Sequence, residues 1–331
     1  MIHLERHWYA KSPLSHALLP LSWLYCTVAT LRRIAYLLGL LRAKRMPVPV
    51  IVVGNLTVGG TGKTPLVTAL VDALRAKGYL PGIVSRGYRG KARHWPQQVR
   101  PDSDPVIVGD EAVLLATRTG CPMAVAPSRV AAARALLKYA HCDVIVADDG
   151  LQHYALARDV EILVVDGMRR FGNGRCLPAG PLREPKSRAN GVDLVVTNGL
   201  AGPHEYAMRY EGAELCNVAD PSQRQPLSAF AGKTVHAVAG IGHPSRFFSA
   251  LQSAGLKLKT HPFPDHHHYQ DSDLQFGDGY PVIMTEKDAV KCRRFEATDH
   301  WYLPINAELS DRFFNTVIQR LEMKKNGQQA A

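Results

Sequence analysis

The stretch Gly54-Asn55-Leu56-Thr57-Val58-Gly59-Gly60-Thr61-Gly62-Lys63-Thr64 gathers the residue types that hold a phosphate. Glycines at 59, 60 and 62 let successive backbone N–H groups turn toward one anion, where side chains would obstruct. Lys63 offers a cation to β- and γ-phosphate charge, and the Thr64 hydroxyl is a ligand for Mg²⁺. The strict spacing G-x-x-x-x-G-K-[ST] asks for glycine at position 57, where this chain has Thr57. The remaining core is intact, so Thr57, Val58, Gly59, Gly60, Thr61, Gly62, Lys63 and Thr64 form the expected nucleotide-binding loop.

Such a loop works with a carboxylate at the end of a neighbouring apolar strand, which holds the metal. Asp148 and Asp149 close the run Asp143-Val144-Ile145-Val146-Ala147. Two adjacent acids repel unless a cation or hydrogen bonds compensate. Mg²⁺ would compensate, an N-cap role for one aspartate is the alternative, and spacing does not choose between the two. Asp110, in Val108-Gly109-Asp110-Glu111, either caps the next helix or lies at the carboxyl edge of the sheet where ligands bind. At that edge a carboxylate can serve as base toward a hydroxyl acceptor. Arg86 and Arg89 of SRGYRG, Arg129 after Ser128, and Arg183 of LPAGPLREP are each ordinary surface groups taken singly. Together they can hold a further phosphate on the substrate. In Phe263-Pro264-Asp265-His266-His267-His268-Tyr269, three adjacent histidines do not supply metal-ligand spacing. The run reads as a polar loop from which one histidine can reach the site across a domain cleft.

These residues need a scaffold that brings strand ends together. Val48–Val53 is a continuous apolar run, as expected of a strand covered on both faces. A helix from Pro65 to Leu74 follows the loop. Further strands are expected at 82–85, 106–108, 123–125, 143–147, 162–165 and 194–197, with a helix from Ser128 to Tyr139 among them. Alternation of this kind predicts an α/β fold with a doubly wound, mainly parallel sheet carrying the P-loop. A second, smaller α/β unit begins near Thr234, with a helix at Pro244–Ala254 and a strand at Pro281–Thr285. The expected division is 1–46 as an N-terminal segment, 47–202 as the kinase-like domain, 203–232 as a linker and 233–325 as the smaller domain.

The N-terminal segment differs in composition. Between Ser12 and Leu31 there is no Asp, Glu, Lys or Arg, but Pro13, Pro20 and several serines interrupt the apolar residues. Arg32-Arg33 and Arg42-Ala43-Lys44-Arg45 flank a second apolar stretch. A basic amphipathic helix lying in a membrane interface suits this pattern, with Trp23 and Tyr25 as interfacial aromatics. Each basic group near an anionic leaflet contributes about 1 kcal/mol. An ordinary core helix packed on the sheet is the competing reading. The chain as a whole carries 40 Lys and Arg against 29 Asp and Glu, a formal charge of +11, which calls for an anionic partner without choosing one. Its six cysteines form no C-x-x-C pair, against a disulfide scaffold or a zinc knuckle.

A GTPase is disfavoured because Thr285-Glu286-Lys287-Asp288 places lysine and aspartate side by side, which breaks the N/T-K-x-D spacing. A P-loop ATPase of the partitioning or metallochaperone type, acting on DNA or a partner protein, remains the alternative, although it does not account for the N-terminal segment. Taken in order, VGNLTVGGTGKTP, SRGYRG, VGDEA, ADDGLQH, LPAGPLREP, FPDHHHY and MTEKDAVK resemble the tetraacyldisaccharide 4'-kinase family, the lipid A 4'-kinases of Gram-negative bacteria. The resemblance covers nearly the whole chain, and that family shares the departure at Thr57. It implies transfer of the ATP γ-phosphate to the 4'-hydroxyl of a tetraacylated glucosamine disaccharide 1-phosphate, with ATP and Mg²⁺ as cofactors. It further implies Asp148, Asp149 and Glu184 at the metal and nucleotide, Asp110 as base, and His266 as its partner. A lipid substrate, the cytoplasmic face of the inner membrane, no nucleic acid and a monomer are the corresponding expectations.

Overall fold

The computed structural model describes residues 5–9, 12–295 and 297–329; residues 1–4, 10 and 11 of the expected N-terminal segment lie outside it, as does residue 296. Two sheets organise the described residues. The larger has nine strands in the order Asn306–Leu309, Tyr206–Glu211, Leu194–Asn198, Val160–Asp166, Val50–Gly54, Val144–Asp148, Pro81–Ser85, Met123–Val125 and Gln97–Val99. Neighbours run parallel except at the two edges, where Gln97–Val99 and Asn306–Leu309 pair antiparallel. The smaller sheet has six strands, in the order Arg224–Pro226, Glu214–Asn217, His300–Leu303, Val282–Thr285, Thr234–Ala239 and Lys257–Pro262.

The central strand Val50–Gly54 is buried along its whole length. The helix Lys63–Ala76 lays Leu66, Val67, Leu70, Val71 and Leu74 on the sheet, where Ile51, Val53, Val146 and Ile162 complete one core. Each such side chain contributes about 1.5–3 kcal/mol by leaving water. The register sets Val53 beside Asp148, so the strand that launches the glycine-rich loop and the strand that ends in the paired acids finish side by side.

The structure departs from expectation at three places. Val106–Val108 is not a strand but the end of a short helix, Pro105–Val108. Asp104 caps it by accepting from the Val106 N–H at 2.8 Å, and proline sits at the first turn, two helix-start signals that outweigh an apolar triplet. The stretch expected as a linker, 203–232, supplies strands to both sheets. Residues 306–325, expected in the smaller unit, return to the larger one: Asn306–Leu309 pairs with Tyr206–Glu211, and Phe313, Val317 and Leu321 of the last helix enter the first core. Long-range strand pairing decides these placements, and local pattern does not carry it.

The N-terminal helix Leu19–Leu37 docks by its polar residues. Ser22 donates to the Cys176 carbonyl at 2.7 Å, Ser15 of the preceding helix to the Ala179 carbonyl, and the Trp8 indole to Pro178 at 2.9 Å. Its apolar residues point the other way: Leu21, Trp23, Leu24, Val28 and Leu31 are all exposed, Trp23 by 66%. No helix among the described residues is long and apolar enough to cross a membrane.

Candidate active site

The glycine-rich loop is fastened at its outer end and open at its inner end. Thr57 forms an antiparallel bridge with Leu182, the Val58 N–H donates to the Pro181 carbonyl at 2.8 Å, and the Arg183 N–H to Leu56 at 2.7 Å. Thr57 therefore sits in a short strand pairing, where a side chain is no obstacle, and the missing glycine has a physical reason. The same pairing engages the Val58 N–H, so Thr57 and Val58 anchor the loop and its open arc begins at Gly59. A Cβ at Gly59 or Gly60 would meet nothing within 4 Å, whereas one at Gly62, with φ +99°, would fall on the Tyr210 hydroxyl and on Met208 Cε at 2.8 Å. Behind the open arc stands the N-terminus of the helix Lys63–Ala76, whose positive end favours an anion.

The two adjacent aspartates are not equivalent. Asp149, with φ +48°, is held by Lys63 at 3.4 Å and by Arg183 at 3.0 Å to both oxygens. Burial would raise its pKa, but Lys63 and Arg183 outweigh burial and hold it well below the usual carboxylate range. Among the described residues Asp148 accepts from the Ser85 hydroxyl at 3.3 Å, and its Oδ1 is buried without a hydrogen-bond partner. Burial first, then the charges of Asp149 and Glu111, push it up to about 7 against the pull of Lys63. Glu184 does not join them. Its oxygens accept from the Tyr154 hydroxyl and from Gln152 at 3.1 Å, and among the described residues no three His, Cys, Asp or Glu gather as a metal cluster.

The expected arginines divide in the same way. Arg129 is buried; its guanidinium donates to the Asp149 carbonyl at 2.8 Å, and its N–H to His153 at 3.2 Å. Arg129 and Arg183 thus build the aspartate turn itself. Arg89 donates to the Asp265 carbonyl at 2.9 Å, across the cleft between the two units, and Arg86 is exposed.

Asp110 opens the helix Asp110–Thr119, accepting from the Glu111 N–H at 2.9 Å. His266 reaches it from the other unit, with Nδ1 at 2.8 Å and 3.0 Å from the two carboxylate oxygens. Both side chains are more than nine-tenths buried. Burial raises the Asp110 pKa, but the His266 hydrogen bond and the Lys287 charge outweigh it and bring the group down to about 2. Of the three histidines only His266 makes this contact; His267 faces Asp273 at 3.0 Å. A cavity of about 610 Å³ opens beside the pair, lined by Tyr88, Arg89, Val106, Val113, Tyr269 and Arg293 among others. Residues missed by motif reading include Gln152 and His153, which follow the aspartates in ADDGLQH, Tyr154 just beyond them, and Lys287 in MTEKDAVK.

Comparison with known proteins follows the same outline. A family model described as tetraacyldisaccharide-1-P 4'-kinase matches residues 14–322. A relative named tetraacyldisaccharide 4'-kinase from Nitrosococcus oceani is 55% identical over 317 residues, 96% of this chain and 94% of its own. Another of that name from Alkalilimnicola ehrlichii is 54% identical over 93% of each chain. Among solved structures, the "apo" form of LpxK from Aquifex aeolicus in complex with ATP matches with a TM-score of 0.80 at 29% identity, covering 93% of this chain and 99% of that one.

Proposed function

The chain belongs to the tetraacyldisaccharide-1-P 4'-kinase family and is an ATP-dependent lipid A precursor 4'-kinase; on that premise we propose how its residues divide the work. The open arc Gly59–Gly62, the helix N-terminus behind it and Lys63 hold the β- and γ-phosphates. The unpaired, buried Asp148 Oδ1 and the Thr64 hydroxyl fit a hard cation that takes few protein ligands and completes its shell from phosphate and water. When bound, Mg²⁺ would neutralise charge on the transferring phosphoryl group. Asp149, already held by Lys63 and Arg183, positions that lysine, and Glu184 holds Gln152 and Tyr154 beneath the loop. The partitioning and metallochaperone readings end with the family assignment.

Asp110 takes the proton of the acceptor hydroxyl as its oxygen attacks the γ-phosphorus and the bond to the ADP oxygen breaks. The cavity beside Asp110 receives the acceptor sugar, and exposed Arg86 and Arg89 face its phosphate. The one observation that carries this division is the Asp110–His266 contact, which joins the two units at a buried carboxylate. Mixed-micelle phosphorylation of the tetraacyl disaccharide 1-phosphate tests it. Wild type should place phosphate on the 4'-hydroxyl, and Lys63→Ala should lose about 10²–10³-fold in kcat, the usual cost of one donor at a charge-bearing site. A smaller loss than tenfold would remove Lys63 from the phosphate site.

The exposed apolar face of Leu19–Leu37, followed by Arg42 and Arg45, supports a peripheral position on the cytoplasmic face of the inner membrane, with the helix lying in the interface. Trp23→Asp together with Leu24→Asp should abolish flotation with anionic vesicles while leaving the melting temperature unchanged. Undiminished flotation would mean that another surface binds lipid.

A further inference from the structure

Resting on the role proposed above for the Asp110–His266 pair, we infer that Lys287 is the positioning residue that fixes the His266 ring in one tautomer, with Nδ1 donating to Asp110. Glu286, Lys287 and Asp288 point three ways from the start of one helix. Asp288 turns inward, fully buried, and accepts from the Gly240 N–H at 2.8 Å and the Thr285 hydroxyl at 2.6 Å. Glu286 pairs with Arg118 at 2.8 Å. Lys287 faces the cleft, its Nζ at 3.3 Å from His266 Nε2, 3.0 Å from Glu111 Oε1 and 3.2 Å from Asp265 Oδ1.

An ammonium group has donors only. The nitrogen it faces at hydrogen-bond distance is therefore the unprotonated one, and the single proton of a neutral ring lies on Nδ1, between the ring and the Asp110 carboxylate. Protonation of Nε2 would set an N–H against the ammonium. The other charged groups around the ring are Asp110, Glu111 and Asp265, whose Oδ2 lies 3.5 Å from Nε2. Lys291 acts on Asp110 through space, and the Tyr88 ring meets His266 edge-on at 5.6 Å. Glu111, Asp110 and Asp265 outweigh burial and keep Lys287 charged well above neutral pH. A neutral His266 orients the Asp110 carboxylate without holding it in a full ion pair, which leaves it a stronger base toward the acceptor. Lys287 contacts Glu111 of one unit and Asp265 with His266 of the other, so the tautomer is set only where the two units meet.

The test combines ¹⁵N-histidine NMR with the pH profile of kcat for wild type, K287M and K287R; H266N identifies the His266 signals. Wild type should show one protonated and one unprotonated ring nitrogen, with Nδ1 the protonated one. K287M should lose that pattern, lose on the order of tenfold to a hundredfold in kcat, and gain an acid limb in its pH profile that wild type lacks, while K287R, which keeps a cationic donor, recovers most of the rate. An imidazolium or an Nε2–H tautomer in wild type overturns the inference, as does a K287M enzyme with wild-type kcat, pH profile and ring signals. Where K287M fails to fold, K287Q supplies the same comparison, and an imidazolium or Nε2–H ring in wild type overturns the inference by itself. Failure of the wild type to phosphorylate the 4'-hydroxyl would instead strike the role given to the pair, and the ring signals would still report the tautomer.

Discussion

The two sides of the cleft are finished differently. On the Asp110 side the charged groups are paired across the cleft: Asp110 with His266, Glu111 with Lys287, and Arg118 with Glu286, each joining one unit to the other; the Tyr269 hydroxyl and Arg293 Nε nearby are buried without a hydrogen-bond partner. On the glycine-rich side, Asn55 Oδ1, Thr61 Oγ1 and Asp148 Oδ1 are buried without a hydrogen-bond partner. Buried polar atoms are normally paired, and three exceptions clustered around one loop call for an explanation. A carboxylate held by a partner from the other unit is preorganised, its orientation fixed before any reaction begins. A side that leaves a carboxylate oxygen and two further side-chain oxygens unpaired is shaped for something that brings a cation or hydrogen-bond donors. The difference fits the proposed division, with the acceptor chemistry on the first side and the phosphates on the second.

The hardest test of that assignment is Asp110→Asn. The variant keeps the size of the group and leaves the loop untouched, so ATP affinity should stay within about twofold while kcat falls on the order of 10²–10⁴, the range for a positioned base. Equilibrium binding of ATP and single-turnover transfer separate the two effects. An equal loss in both would show that the sides are not independent.

Two glycines on the other side sharpen the contrast. Gly62→Ala forces a side chain into a left-handed backbone and onto Met208 and Tyr210. It should destabilise the fold by about 1–3 kcal/mol and disturb the helix N-terminus with it. Gly60 has neither constraint, so Gly60→Ala should leave the melting temperature nearly unchanged and act only on the KM for ATP, where the new methyl stands in the phosphate arc. A stability loss at Gly60 matching that at Gly62 would mean that the arc is packed against protein and is not a ligand cradle.

The same contrast explains what the sequence made legible. The loop side is local: strand, glycines, Lys63 and Thr64 follow one another, and the expected strands at 123–125 and 194–197 lie within observed ones. Asp148 and Asp149 were readable as a pair, but their inequality was not, because it depends on Arg183 folding back across the loop. The Asp110 side is assembled from residues about 150 positions apart, and only the family resemblance singled out His266 over its neighbours. Lys287 was visible merely as a misplaced lysine in a broken guanine motif. The edge strand Asn306–Leu309 carries too little pattern to reveal that the chain returns to the first sheet. Local spacing shows what a loop can hold, whereas cross-domain pairing must be seen.

A further expected effect is on stability against pH, and it has opposite signs on the two sides. Asp110 titrates at about 2 in the folded chain against an ordinary 3.8, so its charged form is favoured by folding. Its contribution is present above about pH 4 and is lost as pH falls toward 2; about two pKa units correspond to roughly 2–3 kcal/mol. Asp148, raised to about 7, works the other way: folding favours its protonated form, and that advantage is lost as pH rises from about 4 through 7. In metal-free buffer, the stability gap between wild type and Asp110→Asn should therefore close on acidification below pH 4. Asp148→Asn should instead gain on wild type between pH 4 and pH 7. Denaturant melts across that range resolve both trends. Parallel curves for all three proteins would mean that the two carboxylates share one environment, and the division of labour between the two sides would have to be given up.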